Sequence, residues 1–366
     1  MRFKKKFYTF KNFGMIFIPL IILISLTISI IYSGIARYEK EIIKRAEINR
    51  MAVLREVISD KFKLVVSDLR ILSEQYELKY MLEEGTGKLE NLAVNFVSFA
   101  KRKRVYDQIR FIDKRGMEVL RVNYNRGQPV VVSKRDLQYK GEYYYFKDIF
   151  QLDKGEVFVS PFDLNIERGE IEEPYKPMIR FGTPLFDKEG QRRGIIILNY
   201  LGADLLRDIE RLSVNTPGEL MLLNSEGFWL KGPKSEDEWG FMLTNRKDRK
   251  FSQAYPAAWE RISKANTGQF YSQYGLFTFS TVFPLKEAWK SSSGSSGMRH
   301  TPTSLKINGK EYYWKIVSLV RPAVLNLEPA RFGREIFPFY LVIAVIIFAG
   351  SWFITRSNIK LSLIHI

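Results

Sequence analysis

Residues 143–184, YYYFKDIFQLDKGEVFVSPFDLNIERGEIEEPYKPMIRFGTP, decide how the rest of the chain is interpreted. Three tyrosines stand ahead of a helix-like turn at Phe146–Leu152. Apolar residues then predict strands at Glu156–Ser160 and Met178–Gly182, with a polar loop between them. Aromatic, hydroxyl, amide and guanidinium groups are crowded here without the regular spacing of a plain hydrophobic core. We therefore predict that this segment forms one wall of a pocket for a small molecule.

The composition argues against several classes of protein. With 366 residues, 46% of them hydrophobic, the chain is long enough to bury more than one core and is not disordered. It has no cysteine, which excludes disulfide scaffolds and thiolate metal sites. Its two histidines, His300 and His365, argue against a Ser-His-Asp triad or a multi-histidine zinc site. We expect no catalytic residues, no metal and no cofactor.

The net charge of +17 could suggest a nucleic-acid partner, but the basic residues are not arranged for one. Arg356 and Lys360 follow an apolar run near the end of the chain, and the central part mixes both signs. No basic stripe interleaved with aromatic residues is present in the central part, 34–355, so we expect no nucleic acid to bind. A further group of basic residues flanks the first apolar run: Arg2, Lys4, Lys5, Lys6 and Lys11.

Two uncharged apolar runs predict membrane spans. Phe13–Tyr32 contains 20 residues, which as a helix matches a bilayer core of about 30 Å. A cleaved signal peptide is the alternative, although the apolar run is longer than a typical signal-peptide hydrophobic region. Phe337–Thr355 is the second run. The flanking basic residues predict a two-pass protein of the inner membrane, with 34–336 in the periplasm and 1–12 in the cytoplasm.

A long helix is predicted between the first span and the remainder of the chain, at Ile35–Glu84. It can pack on its own domain, or its half nearest the membrane can pair with a second copy to form a homodimer. We keep both possibilities for this segment, 34–84. Apolar residues recur along it at spacings of three and four: Met51, Leu54, Ile58, Phe62, Val65, Leu69, Leu72 and Tyr76.

Two similar series of elements follow, in 85–212 and 213–325. Each contains an apolar strand, a polar turn ending in glycine and another strand, as in IRFIDKRGMEVLRV (109–122) and LMLLNSEGFWLKG (220–232). Ser291–Gly297 (SSSGSSG) predicts a flexible loop. The layout predicts an α+β fold with two tandem domains of antiparallel sheet on the long helix. The predicted strands are Tyr106–Asp113, Met117–Asn123, Gly194–Leu201, Glu219–Asn224, Phe228–Lys231, Gly268–Tyr274, Leu276–Phe283 and Glu311–Val320. The predicted helices are Leu89–Lys103, Lys134–Lys140, Leu205–Leu212 and Tyr255–Lys264.

This arrangement over 35–325 resembles the double Cache (tandem PAS-like) sensor domains of bacterial histidine kinases, diguanylate cyclases and chemoreceptors. The segments that carry the resemblance are IRFIDKRGMEVLRVNY, GIIILNYLG and the stretch around 143–184. The resemblance implies a two-pass receptor whose membrane-distal first domain binds a small molecule and whose membrane-proximal second domain lies nearer the spans. Binding would then shift the long helix and the second span.

At one segment this sequence departs from the pattern of the family that it resembles. In the amino-acid-binding branch, an Arg-x-Trp-Tyr segment and a later Asp hold the ligand. This chain has Tyr143-Tyr144-Tyr145-Phe146 at that place, with neither the Arg nor the Trp. We therefore do not assign amino-acid recognition. Two other functions stay open: a scaffold that binds a periplasmic partner protein through the second domain, and a membrane-anchored extracytoplasmic enzyme with a carboxylate pair.

Strand alternation predicts which side chains share a face. Arg110 lies on the face opposite Ile109 and Phe111, and Arg121 and Arg180 each oppose large apolar neighbours in the same way. Three guanidinium groups on one face would suit a small organic anion. The candidate ligand-binding residues are Arg110, Arg121, Asn123, Tyr143, Tyr145, Ser160, Asp163, Asn165 and Arg180.

Each of these candidates also has a structural interpretation. The arginines could face solvent or pair with Asp113, Asp148 or Asp163. The short side chains of SPFDLN (160–165) could cap turns, and the tyrosines could belong to the core.

The last residues carry no signalling module. Past the second span the sequence contains only 356–366, and its final six residues, LSLIHI, read like a translated sequencing adapter. We expect the natural chain to continue past Lys360 into an output domain of the kinase or cyclase type.

Overall fold

The computed structural model describes residues 2–84, 89–125, 127–167, 169–214, 216–284, 306–307 and 310–362. The loop predicted at Ser291–Gly297 and both histidines lie outside these residues. Backbone contacts divide the chain into two units. The first comprises Met1–Glu47, Gln273–Leu276 and Val320–Ile366, and the second comprises Ile48–Ser272 and Phe277–Leu319.

Nine α-helices are assigned among the described residues. They are α1 (Arg2–Ser73), α2 (Tyr76–Glu84), α3 (Leu89–Lys103), α4 (Tyr144–Gln151), α5 (Gly202–Arg211), α6 (Phe251–Ala254), α7 (Pro256–Lys264), α8 (Pro322–Leu325) and α9 (Leu327–Ser362). The prediction of one unbroken helix over Ile35–Glu84 is wrong at Glu74 and Gln75, where α1 ends before α2 begins. The hydroxyl of Ser73 donates to the carbonyl of Arg70 at 2.9 Å, a local bond that competes with helix continuation.

The strands form two main antiparallel sheets and two separate two-stranded sheets. In the first half they are β1 (Tyr106–Asp113), β2 (Glu118–Asn125), β3 (Gln128–Val131), β4 (Phe158–Val159), β5 (Asp163–Leu164), β6 (Ile166–Glu167), β7 (Glu170–Ile171), β8 (Pro177–Phe186) and β9 (Arg192–Leu201). In the second half they are β10 (Glu219–Asn224), β11 (Trp229–Lys231), β12 (Thr267–Ser272), β13 (Gly275–Val282), β14 (Lys306–Ile307), β15 (Lys310–Glu311) and β16 (Trp314–Val320). The predicted α+β fold with antiparallel sheets is confirmed.

The first contact unit contains the two apolar helical segments. Both α1 and α9 are long and apolar enough to cross a membrane, which agrees with the predicted spans at 13–33 and 337–355. Phe13 packs edge-on against Phe348, with ring centroids 5.1 Å apart. The Ser25 and Tyr340 hydroxyls lie 2.9 Å apart and share a hydrogen bond. The two segments therefore pair within one chain through aromatic and polar contacts.

The first sheet has the strand order β3-β2-β1-β9-β8-β4, with β5 also paired to β8. One face carries Ile109, Val122 and Phe181, which belong to the same buried cluster as Leu69 of α1. The opposite face carries a separate cluster that includes Ile197 and α4 side chains. The alternation predicted from the sequence is confirmed on these strands.

A buried polar group ties α1 to the first sheet. The Tyr106 hydroxyl donates to Asp68 Oδ2 at 2.6 Å, and Lys103 Nζ lies 2.6 Å from Asp68 Oδ1. Asp68 is 4% exposed. Because both of its oxygens are engaged, this carboxylate can lie inside the helix–sheet interface without an unpaired charge.

Two local predictions in the first half are wrong. Lys134–Lys140 is not a helix: only Lys134–Asp136 forms a 3-10 turn, after which Lys140 N donates to Gly116 O at 2.6 Å. That bond holds the chain extended beside the β1–β2 hairpin. The strand predicted at Glu156–Ser160 is reduced to β4, because pairing with β8 covers only two residues.

The second sheet has the strand order β11-β10-β16-β13-β12. Met221, Leu223 and Val317 on one face pack in the cluster that includes Ile262 of α7. Lys315 lies on this strand face too, is 2% exposed, and donates to Ala265 O at 2.7 Å and Thr281 Oγ1 at 2.6 Å. Burial lowers the pKa of Lys315 to about 8.

Because Lys315 is buried, the free energy of unfolding should change with pH in the alkaline range. The unfolded chain keeps this proton up to about pH 10.5, whereas the folded chain releases it near pH 8. The unfolded state therefore binds more protons in that window, so the free energy of unfolding rises as the pH increases through it. We expect Lys315→Met to remove this rise in thermal unfolding of the full chain. Lys264→Met, on an exposed helix surface, is the control, and equal pH profiles for both variants would contradict the interpretation.

Candidate functional site

A short helix covers one end of the first sheet. The α4 side chains Phe146 and Ile149 pack on Ile112 and Ile197. Gly182 on β8 lies directly under Ile149, where a β-carbon would collide with the Ile149 side chain. A glycine at this position therefore allows α4 to approach the sheet closely. The uncovered part of the same face is polar, and we call it the arginine face because it carries Arg110, Arg121 and Arg180.

Two arginines of this face are cross-strand neighbours. Arg110 on β1 pairs directly with Arg121 on β2, and both are buried, at 4% and 6% exposure. Like charges placed opposite each other destabilise a sheet unless a counter-charge lies between them. Glu118 supplies it: its Oε2 accepts from Arg121 Nη1 at 3.0 Å, and its Oε1 lies 3.5 Å from Arg110 Nε.

An irregularity in β2 places Glu118 there. Phe111 pairs with Leu120 while Ile112 pairs with Glu118, so Val119 is an extra residue in the β2 strand. Such a bulge reverses the alternation of side chains on its far side, so Glu118 points to the other face of the sheet. Strict alternation would have placed Glu118 with Leu120, away from the arginines.

A row of polar side chains crosses four strands beside the arginines. Asn123 on β2 pairs with Gln108 on β1, Gln108 with Asn199 on β9, and Asn199 with Arg180 on β8. Asn199 Nδ2 donates to Gln108 Oε1 at 3.1 Å, and Arg110 Nη2 donates to the same oxygen. A flat polar strip is thereby built from residues that share one face.

Several buried atoms of the strip and of the arginines beside it make no hydrogen bond among the described residues. They are Arg110 Nε, Arg121 Nε, Asn123 Oδ1 and Asn199 Oδ1. Buried polar atoms are normally hydrogen-bonded, so each such atom calls for a physical explanation. Two guanidinium donors and two amide acceptors remain available on the same face.

Aromatic and basic groups approach the strip from the preceding segment. Arg110 Nη1 donates to the Tyr145 hydroxyl at 3.4 Å, and the Arg180 guanidinium lies 5.8 Å from the Tyr145 ring centroid. Tyr143 packs against Tyr145 at 5.4 Å, and Lys140 Nζ lies 4.5 Å from the Tyr143 ring centroid. Burial, and then the nearby charge of Arg110, lowers the pKa of Lys140. Positive potential therefore accumulates at this end of the sheet.

The remaining predicted residues form a second group, whose polar side chains hydrogen-bond to one another and to the backbone. Arg180 Nη1 donates to Asp163 Oδ1 at 2.8 Å, and Arg180 Nη2 donates to Asn165 Oδ1 at 3.2 Å. The Ser160 hydroxyl donates to Pro161 O at 2.7 Å and accepts from the Arg180 backbone N–H at 2.8 Å. Ser160 thus caps the turn, which was one of the two interpretations of SPFDLN.

The alternatives for the arginines are resolved by these contacts. None of the three faces solvent, since each is at most 6% exposed. Arg180 pairs with Asp163, which was one of the predicted alternatives. Asp113, another predicted partner, pairs with Arg115 instead. Sequence reasoning missed Glu118, Lys140, Gln108 and Asn199. Strand alternation places Gln108 on the same face as Arg110, so the sequence alone could have identified Gln108 as a candidate.

Comparison with known proteins identifies similar domains. The family model described as "Bacterial histidine kinase, sensor domain" matches residues 52–289, which is well over half of the chain. The extracellular domain of the histidine kinase vpHK1S-Z8 is 22% identical, with a TM-score of 0.62, and the match covers 82% of this chain and 99% of that domain. No curated protein matches the chain.

Two further solved structures share the arrangement. A domain of a sensory box/GGDEF family protein from Vibrio parahaemolyticus is 22% identical with a TM-score of 0.60, covering 79% of this chain and 99% of that one. The periplasmic sensory domain of the Campylobacter jejuni chemoreceptor Tlp1 is 11% identical with a TM-score of 0.50, covering 77% and 98%. At these identities the likeness establishes the fold alone.

The shared carboxylate makes a specific prediction for stability. Glu118→Gln leaves two buried, adjacent guanidinium groups without their counter-charge, so the free energy of unfolding should fall by about 3–5 kcal/mol. Denaturant unfolding of the full chain measures it. Glu170→Gln, on an exposed hairpin without an ion pair among the described residues, should change it by less than about 0.5 kcal/mol. Equal effects of the two substitutions would contradict the role of Glu118.

Proposed function

Because the chain belongs to the family of bacterial histidine kinase sensor domains, we propose that it senses a small organic anion on the arginine face of its first sheet. The observation that supports this proposal is the imbalance of charge around Glu118. Arg110, Arg121 and Lys140 lie near two carboxylates, Glu118 and Glu167, which leaves one positive charge unmatched, and the Nε–H groups of Arg110 and Arg121 make no hydrogen bond among the described residues. A bound carboxylate would supply both the missing charge and the missing acceptors.

The chemistry of the strip narrows the class of ligand. A carboxylate can accept from arginine through two parallel hydrogen bonds, which fixes its orientation. Asn123 Oδ1 and Asn199 Oδ1 are acceptors that require donors. A small carboxylate that also carries hydroxyl or amino groups meets both requirements. Tyr143 and Tyr145 would form an aromatic wall beside it.

The proposed ligand-binding set follows the sequence analysis with additions. Arg110, Arg121, Asn123 and Tyr145 would contact the ligand directly, with Tyr143 at its edge. Arg180, on β8, would form one edge of the site. Ser160, Asp163 and Asn165 would hold Arg180 in place rather than touch the ligand, since their polar atoms are engaged with it and with the turn. We add Lys140, Gln108 and Asn199 as contacts, and we assign binding rather than catalysis to this region.

We place the sensing region outside the cytoplasm. In this proposal the two apolar helical segments cross the inner membrane, 34–336 is periplasmic, and 85–212 and 213–325 are the membrane-distal and membrane-proximal domains. The half of α1 nearest the membrane would pair with a second copy, which is supported by the exposed apolar side chains of Tyr38, Ile42 and Val53. Binding would bias a kinase or cyclase output through α1 and α9.

The ligand proposal is tested by titrating small carboxylates into the full chain in lipid nanodiscs. For the carboxylate that binds, Arg121→Ala should raise Kd by about tenfold to a hundredfold, because it removes a charge-assisted hydrogen bond. Arg115→Ala is the matched control, since Arg115 is exposed in the β1–β2 turn and pairs only locally. A carboxylate that binds both variants with unchanged affinity would contradict the assignment.

A further inference from the structure

A cavity of about 460 Å³ lies outside the arginine face. Its lining comes from α4 and the segment before β5 on the side of the first sheet. On the side of the second sheet it comes from the β10–β11 turn, the segment around 241–242 and Tyr312. All of these residues belong to the second contact unit. The volume lies in the range of ordinary small-molecule sites.

Aromatic rings form the walls of this cavity, and the packing behind them is fixed. Tyr144, Phe162, Phe241 and Tyr312 contribute to the lining. Phe162 is fully buried and packs against Trp239 and Trp314, with ring centroids 5.3 Å from each. Its backbone N–H donates to the Tyr312 hydroxyl at 2.9 Å. The walls are therefore held in place by the core of the protein.

The Tyr312 hydroxyl has an unused proton. Tyr312 is 6% exposed, and its oxygen accepts from Phe162 N and, at 2.7 Å, from Trp314 Nε1. Both partners are N–H donors, so the hydroxyl proton has no acceptor among the described residues. A buried donor next to a cavity needs an acceptor within it. An occupant that carries an oxygen would satisfy this donor.

The charge of the lining is negative. Asp148, Asp163 and Glu226 line the cavity, and among the described residues no lysine or arginine does. Asp163 pairs with Arg180 on the arginine face, whereas Asp148 and Glu226 have no ion pair among the described residues. Partial desolvation, followed by the charge of Asp163, raises the pKa of Tyr144 to about 12, and the nearby charge of Arg180 acts in the opposite direction.

We propose that this cavity is a second ligand site and that it binds a small organic ammonium compound carrying a hydroxyl or carbonyl oxygen. The ammonium group would lie against the aromatic rings and between the carboxylates, where cation–π attraction and charge act together. Its oxygen would accept from Tyr312. Because the walls come from both sheets, an occupant would hold α4 against the β10–β11 turn. The cavity differs from the arginine face in the sign of the charge it favours.

The test uses the full chain in lipid nanodiscs, with choline and ethanolamine as probes and 3,3-dimethylbutan-1-ol as the uncharged isostere of choline. We expect saturable binding of at least one ammonium probe by calorimetry, and about tenfold weaker binding of the isostere. Glu226→Gln and Asp148→Asn should each raise Kd about fivefold, because each removes one nearby charge without altering the core. Glu170→Gln is the matched control and should leave Kd unchanged.

Two results would overturn the proposal. One is the absence of saturable binding by both ammonium probes. The other is binding that the Glu226→Gln, Asp148→Asn double variant leaves unchanged. Arg121→Ala separates the two sites: it should weaken a carboxylate ligand and leave the ammonium probe unaffected. If Arg121→Ala instead abolishes binding of the probe, the probe occupies the arginine face and this cavity is not its site.

Discussion

The contact of Glu118 with two neighbouring arginines sets the chemistry of the first sheet. Arg110 and Arg121 are directly opposed and buried, an arrangement that a sheet tolerates only with a counter-charge. Glu118 provides one negative charge for two guanidinium groups, and Lys140 and Glu167 add one nearby charge of each sign. The site is therefore stable enough to fold and still short of negative charge. A sensor needs this combination, because its binding energy must come from interactions that the empty protein lacks.

Strand alternation in the sequence was sufficient to predict which residues share this face. Arg110, Arg121 and Arg180 lie together, while Ile109 and Phe181 face the long helix. Period-two alternation is a property of extended backbone, so it holds wherever strands pair regularly. The α+β fold, the two antiparallel sheets and the two apolar helices followed from the same kind of local pattern.

The sequence could not show where the regular pattern is interrupted. Glu118 reaches the arginine face only because Val119 is an extra residue in its strand, and a bulge has no simple sequence signature. Lys140 arrives through a segment that was predicted as helix but is held extended by a bond to Gly116. The long helix ends at Ser73 although its apolar spacing continues. The bulge and the extended segment depend on hydrogen bonds between strands and between distant parts of the chain, and the helix end carries a local bond from the Ser73 hydroxyl to the Arg70 carbonyl.

The most direct measurement is an experimental structure of the full chain with its tightest-binding carboxylate. We expect ligand density with a carboxylate oxygen about 3 Å from Arg110 Nε or Arg121 Nε, and a donor near Asn123 Oδ1 or Asn199 Oδ1. The Glu118 contact with both arginines should persist in that structure. Density for the carboxylate elsewhere, with neither Nε group hydrogen-bonded to it, would contradict this assignment of the site.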